Sequence, residues 1–206
     1  MFRNILFLLF CLSIYSCQSQ TEQPDKKVGG PCEGCEAVHE YGDQVLNAID
    51  TLPGFMENEP KLKLTGKLFK LDGKTPAANT IMYIYHTNAR GIYEKKGDET
   101  GWGKRHGFIR GWIKTGDDGK YTFYTYRPAS YPDTTLPAHI HTTVKEPGKT
   151  AYFIDDFFFD DDPYLPQRVR EGTGKRGGSG ISQPVMKNGI LTIERDIILG
   201  LNIPNY

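Results

Sequence analysis

The stretch Lys61-Leu62-Lys63-Leu64-Thr65-Gly66-Lys67-Leu68 decides the fold class, because apolar and polar residues alternate along most of it. Successive side chains of a β-strand point to opposite faces, so this alternation predicts a strand with one buried and one solvated face. Residues 80–87 are rich in strand-forming residues and are apolar at neighbouring positions, which is typical of a central strand buried on both faces.

Outward from these two stretches, short runs of strand-forming residues recur, separated by turns that contain glycine or proline. They predict further strands at residues 107–114, 121–126, 138–145 and 190–199. Residues 36–50 approach helical spacing and predict a short helix or loop packed on the main domain. The glycine-rich, basic residues 171–182 predict a mobile loop. Many short strands with almost no helix predict an all-β protein, with a sandwich over residues 60–206.

The N-terminal residues predict export. Arg3 precedes an apolar run at residues 5–14, which is short for a membrane span and typical of a signal peptide over residues 1–16. The following Ile14-Tyr15-Ser16-Cys17 resembles a bacterial lipobox, which implies cleavage before Cys17 and lipidation of its thiol. We expect a protein lipid-anchored to a bacterial membrane, on its periplasmic or cell-surface side. Ordinary signal cleavage and an uncleaved anchor are the alternatives.

Residues 17–59 are predicted to form the lipidated N-terminus, a polar tether and a lead-in with a C-x-x-C pair. Cys32 and Cys35 at this spacing most simply form a disulfide in an exported protein. A zinc site, for which only His39 lies nearby in sequence, ranks second, and a redox role ranks third. The chain has 25 basic and 25 acidic residues, so nothing indicates a nucleic-acid partner, which normally requires a basic excess.

The stretch Pro137-Ala138-His139-Ile140-His141 is a candidate metal-binding motif. In a strand, His139 and His141 point to the same side, and two imidazoles on one face can reach one metal ion. From this spacing alone, two solvated surface histidines are the commoner outcome.

Five stretches together carry a family resemblance. In chain order they are Gly91-Ile92-Tyr93, Trp102-Gly103, residues 115–123, Arg127-Pro128-Ala129-Ser130-Tyr131-Pro132 and Pro137-Ala138-His139-Ile140-His141. This order resembles the intradiol ring-cleavage dioxygenases, which include catechol 1,2-dioxygenases and protocatechuate 3,4-dioxygenases. The resemblance runs from about residue 62 to residue 163 and implies an intradiol dioxygenase-like β-sandwich.

The resemblance implies one ferric ion, Fe(3+), with Tyr93, Tyr131, His139 and His141 as metal ligands. It also implies that a catechol-type substrate and O2 react to give a muconate-type diacid. Tyr131 is then the catalytic ligand that leaves the metal and takes a substrate proton. Phenolates are hard anionic donors that suit a trivalent ion, whereas two histidines with one carboxylate suit ferrous oxygenases.

One position departs from the family pattern. Many members have arginine immediately before Pro-Ala-His, where this chain has Leu136, and this change leaves the activity open. Arg105, Arg110 or Arg127 are candidates to supply the charge instead. The alternative functions are a non-catalytic β-sandwich lipoprotein that binds iron or catechol ligands, and a purely structural lipoprotein without metal.

Other conspicuous residues have simpler explanations. Trp102 and Trp112 are expected to serve in core or rim packing, and Tyr83 and Tyr85 fit either a buried strand or a pocket wall. The acidic residues Asp155, Asp156 and 160–162 do not match a calcium loop, and they predict a solvated acidic loop.

Overall fold

The computed structural model describes residues 24–171 and 175–206. The predicted signal peptide and the predicted lipidation at Cys17 therefore lie outside the described residues. Within these two ranges, no helix is long and apolar enough to cross a membrane. In chain order the elements are a 3-10 helix Cys35–His39, β1 Ile49–Thr51, β2 Lys61–Phe69, β3 Ile81–Tyr85, α1 Gly103–His106, β4 Arg110–Lys114, β5 Lys120–Tyr126, β6 His139–Lys145, β7 Tyr152–Phe159, α2 Gln167–Arg170, β8 Ile181–Ser182, β9 Val185–Lys187, β10 Ile190–Glu194 and β11 Ile197–Ile198.

The strands form two sheets, which confirms the predicted all-β sandwich. In the described residues the first sheet has the order β1-β5-β2-β10-β9, with β11 also paired to β2, and the second has the order β4-β3-β6-β7-β8. The strand β2 alternates buried leucines with partly exposed lysines, as the sequence predicts. The strand β3 lies between β4 and β6, which confirms its predicted central position.

The main core lies between the sheets. It is built from fully buried side chains of both, among them Leu62, Leu64, Phe123, Ile84, Ile140, Ile154 and Phe157. Neighbouring residues of β3 point to opposite faces, so Met82 and Ile84 enter this core while Tyr83 faces outward. A second apolar cluster covers that outer face, where Tyr83 and Trp112 pack against Ala37 and Val38.

The residues that precede β1 therefore act as a third layer on the second sheet. Cys32 and Cys35 form a disulfide with a Cα–Cα distance of 5.6 Å, which confirms the first-ranked prediction for this pair. Trp112 Nε1 donates a hydrogen bond to the Ala37 carbonyl at 3.0 Å, which fixes the 3-10 helix over the sheet. The predicted packing role of Trp112 is confirmed.

The short helix or loop predicted for residues 36–50 is confirmed, because Cys35–His39 is a short 3-10 helix packed on the second sheet and Gly42, at φ 57°, lies in the turn that follows. Two local predictions were wrong: the undivided strand over residues 190–199 and the solvated acidic loop at Asp155 and Asp156. The predicted strand 190–199 is divided at Arg195 and Asp196 into β10 and β11. The predicted acidic loop at Asp155 and Asp156 is part of β7. Of the predicted loop 171–182, residues 172–174 lie outside the described ranges, and Ile181–Ser182 is strand β8.

Candidate metal centre

Four polar atoms converge at one end of the second sheet: the hydroxyl oxygens of Tyr93 and Tyr131 and the Nε2 atoms of His139 and His141. The two hydroxyls are 2.5 Å apart, and the two nitrogens are 3.1 Å apart. Tyr131 Oη lies 3.3 Å from His139 Nε2, and Tyr93 Oη lies 2.8 Å from His141 Nε2. The structure therefore brings together all four residues that the family resemblance names.

The strand β6 positions the two histidines. Ile140 points into the core, so its neighbours His139 and His141 share the opposite face, as the alternation predicts. His139 Nδ1 lies 2.8 Å from the Pro137 carbonyl oxygen, and His141 Nδ1 lies 3.1 Å from an Asp156 carboxylate oxygen. Both partners are acceptors outside the cluster, so each Nδ1 is engaged there and each Nε2 faces into the cluster.

A β-bulge positions Asp156. Ile140 pairs with Phe157 and Thr142 pairs with Ile154, so Asp155 and Asp156 together lie opposite the single residue His141. A bulge inserts a residue into one strand and redirects the neighbouring side chains, often next to functional sites. Here it directs Asp156 to His141.

A buried arginine satisfies the carbonyl groups of this bulge. The Arg195 side chain, whose residue is 4% exposed, donates from Nη1 to the Asp155 carbonyl at 2.7 Å and lies 3.4 Å from the Asp156 carbonyl. The bulge interrupts the regular strand pairing at these two residues, and backbone acceptors that lose a strand partner need another one. Arg195 therefore holds the bulge in the conformation that directs Asp156 to His141.

Two loops bring the tyrosines together. Tyr93 follows β3 and Tyr131 follows β5, and Gly91 lies where the loops meet, at φ 77°. A Cβ atom at Gly91 would lie 1.9 Å from the Ser130 carbonyl oxygen, so only glycine permits this approach. The Ala129 amide also donates to the Asn88 carbonyl at 3.2 Å, which joins the loops directly.

Burial sets the protonation of the cluster. It raises the pKa of Tyr93 and of Tyr131 above the ordinary value of 10, and it lowers the pKa of His139 below 6.5. At neutral pH the two phenols and the His139 imidazole are therefore uncharged, and they are preorganised to receive a cation.

The donor atoms fit a metal ion. The Nε2 atoms of His139 and His141 are 3.1 Å apart, and imidazole nitrogens are common metal ligands. Ligand atoms bound to one ion at about 2 Å lie about 3 Å from each other, close to the spacings found here. His139, His141 and Asp156 also form a cluster of possible ligands. Because the Asp156 carboxylate faces the Nδ1 side of His141, we assign it to orienting that ring rather than to the metal.

A cavity of about 230 Å³ opens beside the cluster and is lined by Glu33, Tyr85, Tyr93, Trp102, Arg105, His106, Tyr131 and His141. Cavities of about 510 and 520 Å³ occur elsewhere in the described residues, but none of the four clustered side chains lines them. Trp102, His106, Tyr85 and His141 stack in sequence, with ring centroids 5.3, 3.7 and 4.6 Å apart. This stack forms an aromatic wall from the rim of the pocket to a histidine of the cluster.

The structure distinguishes the three arginines that were candidates to compensate for Leu136. Arg110 pairs with Glu40 at 2.7 Å, and Arg127 binds Asp161 through two nitrogens at 2.7 and 2.8 Å. Neither lines the pocket, whereas Arg105 does.

Sequence reasoning missed His106, Glu33 and the role of Asp156. The predicted solvated loop was also wrong for Asp162, which is 6% exposed and accepts a hydrogen bond from the Ala138 amide at 3.0 Å. This contact secures the backbone just before His139.

Comparison with known proteins gives consistent results. Residues 39–178 match the sequence model of the Dioxygenase_C family, described as dioxygenase. The chain is 28% identical over 137 residues to the protocatechuate 3,4-dioxygenase beta chain of Burkholderia cepacia, covering 61% of this chain and 58% of that protein. It is 30% identical over 160 residues to catechol 1,2-dioxygenase 1 of Acinetobacter lwoffii, covering 66% of this chain and 50% of that protein.

The chain thus spans about half the length of these relatives. A solved structure with the same fold is the dioxygenase domain of a dioxygenase–carbohydrate-binding fusion from Streptomyces sp. SirexAA-E. It has a TM-score of 0.53 at 20% identity and covers 85% of this chain and 96% of that chain. The family match over most of the chain, together with the two-sheet fold, shows that this protein belongs to the intradiol dioxygenase family.

Proposed function

We propose that the protein is a non-haem Fe(III) dioxygenase that opens a catechol-type ring with O2 between its two oxygen-bearing carbons, giving a muconate-type diacid. The observation that carries the proposal is the convergence of two phenols and two imidazoles beside a pocket. Two tyrosinates offset much of the charge of a trivalent ion, so this donor set favours Fe(III) over Fe(II).

Tyr93, Tyr131, His139 and His141 would hold the iron. When bound, ferric iron supplies Lewis acidity, which ionises the catechol hydroxyls and makes the ring reactive towards O2. Tyr131 would bind the iron as a phenolate, and its Oη would then accept a proton from a substrate hydroxyl, because this side chain borders the pocket and is less buried than Tyr93. The aromatic wall of Tyr85, His106 and Trp102 orients the ring and excludes water from it.

The direct test combines colour, oxygen uptake and product mass. We expect the iron-loaded protein to show a tyrosinate-to-iron absorption band that shifts on addition of catechol. Under 18O2 the product should contain both oxygen atoms. Tyr131→Phe should abolish product formation, whereas the matched control Tyr164→Phe, at an exposed tyrosine, should retain it. A protein without iron colour and without oxygen uptake across a panel of catechols would refute the proposal.

A second candidate function is the binding of iron or a catechol without turnover. Leu136 favours it, because this exposed leucine occupies the position where many family members have a positively charged arginine. A spectral shift on catechol binding without a ring-opened product would support this candidate, and any muconate-type product would exclude it.

We also propose that the protein is exported and lipid-anchored through Cys17. The supporting features are the lipobox-like sequence before Cys17 and the disulfide between Cys32 and Cys35, because disulfides persist mainly in oxidising compartments. Cys17→Ser should move the protein from the membrane fraction to the soluble fraction. An unchanged distribution would contradict the anchor.

A further inference from the structure

The disulfide turn before the family-matched segment forms part of the pocket. Glu33 lies between Cys32 and Cys35 and pairs with Arg105 of α1, and both side chains line the cavity beside the metal cluster. The next residue, Gly34, packs so closely on His106 that a Cβ atom there would lie 2.9 Å from the imidazole. The turn and α1 are therefore the outer wall of the pocket.

Arg105 is the one lysine or arginine among the described residues that line this cavity. Its Nη1 donates to Glu33, and no other hydrogen bond of its guanidinium is formed within the described ranges. Nη2 and Nε thus remain available, on a side chain that is 64% exposed and lies over the Trp102 ring at 5.7 Å. Two neighbouring N–H groups of a guanidinium match the two oxygens of a carboxylate.

The size of the pocket limits the ligand. A cavity of about 150 Å³ holds one benzene molecule, so about 230 Å³ accommodates one ring with a short substituent. The only acidic residue that lines the cavity in the described part of the chain is Glu33, and it is already paired with Arg105. An acidic substituent therefore meets an available guanidinium rather than an unpaired carboxylate.

We propose that Arg105 is a specificity-determining residue that binds the carboxylate of a catechol carrying an acidic group on the ring or on a short side chain. This inference rests on the proposed function, because the catechol hydroxyls are taken to face the metal cluster. The disulfide turn contributes by holding Glu33 against Arg105, which keeps the guanidinium at the rim.

The test is an anaerobic titration of the iron-loaded protein with three ligands, in which the shift of the visible absorption band reports binding. The ligands are 3,4-dihydroxybenzoate, the uncharged 4-methylcatechol and the cationic 4-(2-aminoethyl)catechol. We expect the dihydroxybenzoate to bind most tightly. Arg105→Gln should raise its Kd about tenfold, while the Kd for 4-methylcatechol changes less than twofold. The matched control Lys104→Gln removes a positive charge from the same helix at an exposed site outside the pocket, and it should change neither Kd.

The outcomes separate the two proposals. If Arg105→Gln changed the affinities of the acidic and the neutral ligand equally, or if the amine bound most tightly, the role of Arg105 would be refuted while the dioxygenase proposal stood. If Lys104→Gln weakened binding of the acidic ligand as much as Arg105→Gln does, a general electrostatic effect would explain the preference, and the specific contact with Arg105 would be refuted. If the wild-type protein bound none of the three ligands, both proposals would fall.

Discussion

Removal of the Asp156 carboxylate should weaken metal binding in a graded way. The carboxylate lies 3.1 Å from His141 Nδ1, and both side chains are about three-quarters buried, so solvent weakens the contact only in part. Hydrogen bonds to charged groups contribute roughly 1.5–3 kcal/mol and neutral ones roughly 0.5–1.5 kcal/mol. Asp156→Asn keeps an acceptor oxygen and should cost about 1 kcal/mol, or about fivefold in metal affinity.

Asp156→Ala removes the acceptor and should cost about 2 kcal/mol, or about 30-fold, within the range known for residues that orient metal-binding histidines. The assay is competition for iron with a chelator of known affinity, with the charge-transfer band as the measure of occupancy. Asp155→Asn is the matched control, because Asp155 accepts a hydrogen bond from the Arg176 amide and an asparagine oxygen can do the same.

Two results would contradict this reasoning. Equal iron affinity in the wild type and both Asp156 variants would show that the carboxylate does not orient His141. Complete loss of metal in Asp156→Ala, with unchanged affinity in Tyr93→Phe and Tyr131→Phe, would show instead that Asp156 is a ligand together with the two histidines.

Three further predictions concern protons and stability. Burial raises the pKa of Tyr93 and Tyr131, so both side chains are protonated at pH 7, and iron binding should release about two protons per ion. Calorimetry in buffers of different ionisation heat measures this number, and release of no protons would exclude the phenolates as ligands. Burial lowers the pKa of His86 from 6.5 to about 4, so between these values the unfolded chain binds a proton that the folded protein does not. The free energy of unfolding should therefore fall by about 3 kcal/mol from pH 6.5 to pH 4, and this part should be absent in His86→Gln on urea denaturation. Replacing both Cys32 and Cys35 by serine should lower the free energy of unfolding by about 2 kcal/mol and reduce the binding preference for acidic catechols. An unchanged preference would show that the disulfide turn does not position the pocket wall.

The sheets were predictable where side chains alternate regularly. The strand β2 keeps a period of two, and β6 keeps it from His139 to Thr142. The strand β3 was predicted instead from its run of neighbouring apolar residues, and it is buried on both faces. The strand β7 was missed because its bulge breaks this period: two aspartates follow one another between the core residues Ile154 and Phe157. Two neighbouring aspartates that interrupt the alternation predict a solvated loop from sequence, whereas tertiary contacts place them in a strand here.

The candidate site was only partly predictable. The spacing of His139 and His141 follows from strand geometry, whereas the selection of Tyr93 and Tyr131 from twelve tyrosines depended on the family resemblance. The pocket wall could not be predicted, because Glu33 and Arg105 are 72 residues apart in the chain. No local sequence pattern indicates a contact between residues so far apart in the chain.

The pairing of β3 with β6 has a consequence for the order of folding and metal capture. It places Tyr85 opposite His141, and the contact between Tyr93 and His141 joins residues 48 positions apart. Long loops close slowly and at an entropic cost, so these contacts form late as the chain folds. An unfolded or half-synthesised chain therefore offers iron only scattered side chains. We expect iron to be captured after folding, and the melting temperature to rise with the concentration of free iron.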